Sequence, residues 1–464
     1  MSHRSQELRT VRPAVVARLR QALAPYRTGR VRRLVGLRVD VEGVDAAVGD
    51  ALRIVRVGPE GTSTLPAEVV AVHGEALTCL PLGELAGVRF GDPVEALGGP
   101  LPIGVGSGLL GRVLDGLGRP IDDQGPLAIE EEVGINGDPP HPLRRDLVDR
   151  QLGLGVRVLD TLVPCGRGQR LGIFAGSGVG KSSLLSMIAR GTEAEVAVVA
   201  LVGERGREVN EFLQRDLGED GLRRSVVVVA TSDEPALVRI RAAFTATRIA
   251  EWFRDQGADV VLMMDSLTRF AMAQREVGLS AGEPPATRGY PPSVFSLLPR
   301  LLERAGAAER GSITGLYTVL VEGDDMNEPI ADAARSILDG HVVLSRKLAT
   351  AGHFPSVDVL ESISRVEPAV TTPVQRAAAR ELRRLLAAER DVRDLVEIGA
   401  YVAGTNPLAD RALAAREAIW AFLRQDVAEV VPTAQSWAQL DALVADSAQT
   451  TPAPAPAMAQ GVGA

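Results

Sequence analysis

From Leu34 onward apolar and polar residues alternate with a period of two: Val35, Leu37, Val39 and Val41 are separated by Gly36, Arg38, Asp40 and Glu42, and Gly43 ends the run. Such alternation predicts a half-buried strand. Further strand-like segments follow at 52–57, 67–72, 77–80 and 88–97, divided by Gly or Pro, and together they predict a small β-barrel domain over residues 33–98. Upstream, Leu8, Val11, Val15, Leu19 and Leu23 recur at three- and four-residue steps, while Arg9, Arg12, Arg18 and Arg20 lie mostly elsewhere. This is the pattern of an amphipathic helix within residues 1–32, weakened by Pro13.

Residues 98–150 are rich in Gly, Pro and charge, which reads as turns and a domain connection. Beyond them the texture changes. Uninterrupted apolar runs of strand length occur at 171–175, 196–202, 226–230 and 260–264, with helix-length segments between. Strands apolar on both faces and alternating with helices predict an α/β fold with a parallel sheet, assigned to residues 99–368. After about Glu367 the period becomes helical: Thr372 and Pro373 form a cap and first-turn pair, followed by Val374, Ala378, Leu382, Leu385 and Leu386. A helical domain is expected over 369–445. The Pro-rich remainder, 446–464, lacks the apolar surface to offset its ordering entropy and is expected to be disordered.

Composition narrows the class. Of 464 residues 45% are apolar and 24% charged, a globular balance. The longest strictly apolar run, 196–202, is far short of the roughly 20 residues that span a bilayer. Two cysteines, Cys79 and Cys165, cannot build a disulfide framework, and the first ten residues lack the apolar stretch of a secretion signal. A cytoplasmic location is expected. The net charge of −8 is uneven, because residues 1–33 carry nine Arg and one Glu. The acidic body argues against a general nucleic-acid binder, whereas the basic arm suits an anionic membrane surface or an acidic partner. The five histidines are scattered and do not approach metal-ligand spacing with the cysteines.

The chemistry concentrates at Ala175, Gly176, Ser177, Gly178, Val179, Gly180, Lys181, Ser182 and Ser183. A predicted strand precedes this stretch and a helical run follows it. Glycines there let backbone amides turn inward around phosphate oxygens, Lys181 neutralises the β- and γ-phosphates, and the Ser182 hydroxyl can ligate Mg²⁺. Ala175 departs from the glycine that usually opens such a loop. Asp265 ends an apolar strand and therefore faces the ligand crevice of an α/β sheet, where it is expected to hold Mg²⁺ through water. Its successor is Ser266, not a second carboxylate. The water-orienting group must come from a neighbouring strand end, and Glu204, two residues past the run 196–202, fits.

Five blocks in order, VGERGRE (202–208), DSLTRFAMAQRE (265–276), GEPPATRGYPPSVFSLLPRLLERAG (282–306), EGDDMNEPIADAARSILDGHVVLSR (322–346) and PSVDVLESIS (355–364), resemble the rotary ATPase superfamily. Within it the chain resembles the type III protein-export ATPases, with a lean to the flagellar branch from VEIGAYVAGTNP. The resemblance covers roughly residues 33–440. It implies a RecA-like P-loop core with ATP and Mg²⁺ as ligands. It also implies that Glu204 polarises the attacking water, that Arg205 and Arg269 lie near the phosphates, and that Phe354, where Tyr is more usual, stacks on adenine. Arg365 resembles an arginine finger serving a neighbouring subunit. Because Glu204 and Arg365 occur in one chain, a ring of identical subunits, by resemblance a hexamer, can be catalytic at every interface.

The partners so implied are a stator-like regulator, the export apparatus, and export chaperones with their cargo. Membrane contact at the inner face of the bacterial inner membrane would run through the basic helix. The alternatives are the same engine in a virulence injectisome, a Rho-like RNA translocase sharing GRGQR and DSxTR, and an ATP synthase subunit. An aromatic-poor barrel and an acidic body disfavour the translocase, and the coexistence of Glu204 with Arg365 disfavours the synthase subunit.

Overall fold

The computed structural model describes residues 28–449, apart from residues 59, 60, 322 and 324. Residues 1–27 of the predicted arm and nearly all of the predicted tail lie outside the described residues, and residues 28–32, assigned to the arm helix, are strand instead. The chain divides into two compact units. Among the described residues, one is 28–102 with Val277–Glu283 and the other is Ile103–Glu276 with 284–449.

In the first unit six strands close into a barrel: β1 (Thr28–Val35), β2 (Arg38–Glu42), β3 (Ala51–Gly58), β4 (Gly61–His73), β5 (Ala76–Pro81) and β6 (Pro93–Ala96), in the order β1-β2-β5-β4-β3-β6. Val39, Val41, Leu52, Ile54, Ala67, Val69 and Val94 fill its interior, all fully buried, whereas Val35 and Leu37, expected on the same face of one strand, flank the Gly36 turn between β1 and β2 and are 52% and 41% exposed. The expected strand 88–97 shrinks to β6, because Gly91 takes φ +86° and the preceding residues turn. Phe90 is 72% exposed there.

The second unit is built on a nine-stranded sheet. Its main path runs β17-β16-β10-β15-β13-β11-β12-β8, with the two-residue β14 (Gly306–Ala307) paired to β15. The strands are β8 (Val113–Asp115), β10 (Arg170–Ala175), β11 (Val196–Glu204), β12 (Ser225–Thr231), β13 (Asp259–Asp265), β15 (Ser312–Leu320), β16 (Gly340–Leu344) and β17 (Val357–Ser364). Apart from β14, all pair in parallel except β17, which runs antiparallel along β16. β7 (Pro102–Val105) and β9 (Glu131–Gly134) pair separately. The helix Ala236–Asp255 packs on β11, β12 and β13 through buried alanines 242, 243, 246 and 250, whose small side chains allow close approach.

Three strands of this sheet, β15, β16 and β17, were not picked out by periodicity, and neither was β8. Their apolar runs are broken by Thr314, Thr318, His341 and Ser362, and β8 offers only three residues inside a turn-rich stretch. The C-terminal helices are Pro373–Glu397, Pro407–Ala414, Arg416–Leu423 and Thr433–Gln449. Thr372 and Gln375 form a reciprocal capping box, with Pro373 in the first turn. Ala378, Leu382 and Leu385 are buried as expected, but Val374 is 69% exposed in that first turn. The last helix continues to Gln449, so residues 446–449 are helical and not part of a disordered tail.

Candidate nucleotide site

β10 ends at Ala175, which pairs with Leu320 on one side and Leu344 on the other and is 1% exposed. A buried strand end has no need of glycine, which accounts for alanine at the loop's first position. The loop then turns into the helix Lys181–Gly191, whose N-cap is Gly180 at φ +92°. Only glycine suits that position for a second reason. A Cβ on Gly180 would lie 3.1 Å from Cε1 of Phe354, so the ring closes directly over the loop. Gly178 is also left-handed, at φ +73°. The loop is braced from outside: Ser356 Oγ donates to the Val179 carbonyl at 2.5 Å, and Arg346 Nη1 donates to the Ser177 carbonyl at 3.1 Å. Gly176 is buried and Ser183 half-buried at the start of the helix, while Ser182 is exposed there with its hydroxyl accessible.

Lys181, its side chain 12% exposed, points at two carboxylates. Its Nζ donates to Asp265 Oδ1 at 2.5 Å and to Glu204 Oε1 at 3.5 Å. Asp265, 4% exposed, ends β13 and also accepts from Thr318 Oγ1 at 2.8 Å. Both bonds fall on Oδ1, which leaves Oδ2 for a cation or its water. The following helix, Leu267–Ala281, is capped by Ser266, whose Oγ accepts from Arg269 N at 3.3 Å. Asp265 is thereby free of capping duty.

Glu204 arrives by a distortion of its strand. β11 pairs Val202 with Ala230 but Glu204 with Thr231, so Gly203 is an extra residue that bulges at φ +72°. A Cβ there would lie 3.0 Å from Cβ of Arg269, the residue packed behind it. Burial raises the Glu204 carboxyl to a pKa of about 7, the Asp265 charge adds to the rise, and Lys181 opposes it. Burial works against the charge on Lys181, yet Asp265 and Glu204 outweigh it, so its pKa stands above the ordinary lysine value. The arrangement is a buried cation held between a carboxylate at a strand end and a carboxyl poised to titrate near neutrality.

The structure does not bring all the expected residues together. Arg269 is half-buried at the site, with Nε buried and without a hydrogen-bond partner. Arg205 turns away: its side chain is 74% exposed and meets Glu208 at 3.5 Å. Arg365 lies at the far end of the sheet. β17 starts beside Leu344, next to the loop, and ends with Ser364 beside Gly340, at the opposite edge. β17 bulges between Asp358 and Ile363, so its two ends match the five residues of β16 and lie roughly 13 Å apart. Arg365 is exposed there, and its Nη2 reaches the Arg335 carbonyl at 3.4 Å. Thr318, Arg346 and Ser356 are site residues that periodicity and motif did not single out. A hydroxyl inside the apolar strand β15 was the only signal for the first of them.

A glycine-rich loop between a central parallel strand and a helix, with its lysine on an aspartate at a second strand end, defines a P-loop nucleotide-binding ATPase core. Residues 155–364 match the ATP synthase alpha/beta family, nucleotide-binding domain, and residues 371–442 match the T3SS EscN ATPase C-terminal domain. The chain belongs to the ATP synthase alpha/beta family, in its type III secretion branch. It is 51% identical to the flagellum-specific ATP synthase of Bacillus subtilis, over 90% of this chain and 95% of that protein. It is also 51% identical to a type 3 secretion system ATPase of Xanthomonas euvesicatoria, over 86% and 90%. Among solved structures, the assembled ATPase EscN of the enteropathogenic E. coli type III secretion system superposes with a TM-score of 0.84 at 46% identity, covering 90% of this chain and all of that one. The same ATPase solved with its central stalk EscO superposes at 0.83. The fold class expected from the sequence is the one observed. No helix among the described residues is long and apolar enough to cross a membrane.

Proposed function

We propose that the protein hydrolyses ATP to drive type III export of flagellar proteins, working as a ring of identical subunits, by likeness a hexamer. The convergence of Lys181, Glu204 and Asp265 at the C-terminal ends of strands in one sheet carries this reading. Inward amides of the loop receive the phosphates, and the γ-phosphate competes with Asp265 for the Lys181 ammonium. Phe354, 38% exposed over Gly180, stacks on the adenine. The exposed Ser182 hydroxyl and Oδ2 of Asp265 fit Mg²⁺, which when bound supplies charge neutralisation on the phosphate oxygens. As a carboxylate, Glu204 orients the attacking water in line with the γ-phosphate. Arg269, whose Nε has no partner, offers its guanidinium to the phosphates, whereas Arg205 would first have to swing inward.

Arg365 follows the end of β17 opposite its own loop, with its guanidinium turned to the Arg335 carbonyl, which supports its action on a neighbour's γ-phosphate. The solved relative with its central stalk supports a stalk or stator-like partner for this chain; cargo, chaperones and an export gate at the inner membrane complete the reading. Phosphate release from Mg·ATP by the purified protein is the first test. The second is rescue of motility in a strain lacking its own flagellar export ATPase. Relatives named for secretion systems are as similar as the flagellar ones. Rescue of effector secretion without rescue of motility would therefore favour the injectisome role, and RNA-stimulated hydrolysis would favour a translocase.

A further inference from the structure

The segment that carries Phe354 is held from two sides. On the loop side, Ser356 Oγ bonds the Val179 carbonyl and the Ser356 carbonyl accepts from Ser345 N at 2.8 Å. On the other side the contacts come from Trp420 in the helix Arg416–Leu423 and from residues 424 and 425 just past it. The Phe354 carbonyl accepts from Gln425 N at 3.0 Å. His353, 2% exposed, sets its ring edge-on to Trp420 with centroids 4.9 Å apart, and its Nδ1 accepts from Arg424 Nε at 3.3 Å. Burial and the neighbouring Arg424 lower the His353 pKa to about 4, so the ring is neutral and can accept that bond.

Gln425 is itself 4% exposed, and its carboxamide makes three hydrogen bonds. Oε1 accepts from Arg157 N at 2.8 Å; Nε2 donates to the Gly155 carbonyl at 2.8 Å and to the Glu429 carbonyl at 2.9 Å. The Gly155 turn in turn lies against the end of the phosphate-loop helix, since a Cβ on Gly155 would sit 2.6 Å from the Gly191 Cα. The contacts form a closed circuit: Gly180, the helix to Gly191, Gly155, Gln425, Phe354 and back to Gly180. Gln425 is the member of it whose side chain bonds the turn while its main chain bonds the aromatic segment.

We propose that Gln425 is a positioning residue for the nucleotide base: its buried carboxamide fixes its own main-chain amide, which holds Phe354 over the phosphate loop. The inference rests on Phe354 being the stacking side chain. Gln425 does not touch the phosphate sites, so its removal should weaken ligands that carry a base and spare those that do not.

The test compares ADP with inorganic pyrophosphate, each titrated calorimetrically into the full-length protein, together with steady-state ATP hydrolysis. In Gln425→Ala, ADP affinity should fall about tenfold, the scale of losing an aromatic stacking contact, while pyrophosphate affinity stays unchanged. KM for ATP should rise by a similar factor with kcat nearly retained. Gln425→Met, close in volume, should show the same split and carries the comparison if the alanine variant does not fold. Equal loss for ADP and pyrophosphate, or no loss for ADP, overturns the proposal. Phe354→Ala separates it from its premise. If Phe354→Ala leaves ADP affinity intact, the stacking assignment fails; if it weakens ADP while the Gln425 variants do not, stacking stands and the positioning role fails.

Discussion

The ammonium of Lys181 lies 2.5 Å from Oδ1 of Asp265, so the cation of the phosphate loop is already held by the carboxylate at the end of β13. The side chains are 12% and 5% exposed. In so dry a site neither charge is well solvated without the other. A nucleotide must therefore replace one anionic partner of Lys181 with another, and each step of the proposed chemistry is sensitive to which carboxyl is ionised.

Lys181 and Glu204 are expected to separate binding from turnover. Lys181→Ala removes the charge that meets the phosphates and should abolish nucleotide binding in a fluorescent-nucleotide titration. Glu204→Gln should bind ATP as the unaltered protein does, yet lose about 10²- to 10⁴-fold in phosphate release, the usual range for a lost general base. Equal loss of affinity in both variants would contradict the division of roles.

The raised Glu204 pKa gives a signed pH dependence. Below about 7 the carboxyl carries a proton and cannot orient water as an anion; above it the carboxylate forms. kcat/KM for ATP is expected to rise with pH through about 7 and then level. The same group also sets a stability trend. Its folded pKa exceeds the unfolded value, so the folded state holds the extra proton, and the stability it contributes falls as pH rises from about 4.5 to about 7. A flat rate profile from pH 6 to 8 would remove Glu204 from the rate-determining ionisation.

Gly203→Ala tests the bulge that delivers Glu204. At φ +72°, with Arg269 Cβ 3.0 Å from the new methyl, the substitution is both strained and crowded. A loss of about 1–3 kcal/mol is expected in denaturant unfolding. Turnover should drop more than nucleotide affinity, because Lys181 and the loop amides remain in place.

Arg365→Ala and Glu204→Gln subunits should each be nearly inactive alone. Once subunit exchange is demonstrated, mixing them should restore activity, since roughly a quarter of interfaces then pair an intact Glu204 with an intact Arg365. Cooperative firing would lower the recovery without changing its sign. No recovery at any ratio would count against a shared site, and normal turnover by Arg365→Ala alone would end the finger assignment.

Deletion of residues 1–25 should leave hydrolysis intact and reduce binding to vesicles containing anionic phospholipid, because the deleted segment carries five of the nine arginines of the basic arm. Undiminished vesicle binding would sink the membrane role. So would loss of hydrolysis with binding retained.

Several elements are determined by sequence alone because their causes are local. Alternation in β2, the continuous apolar runs of β11, β12 and β13, the glycine pattern from Gly176 to Gly180 and the box of Thr372 with Gln375 each depend on residues within a few positions of one another. The candidate site is different in kind. Lys181 meets Asp265 across 84 positions and Glu204 across 23, and Ser356 meets Val179 across 177. Which strand ends become neighbours follows from sheet order, and that order is chosen by the packing of helices on both faces rather than by any local signal. Tertiary structure likewise decided that β15 to β17 join the sheet despite their interrupted apolar runs. It also turned Arg205 to solvent while Arg269 stayed half-buried, and it set Arg365 at the opposite end of β17 from its own loop. Local preference names the residues able to bind phosphate; long-range burial, which pairs distant segments by the apolar area they cover together, decides which of them share one site.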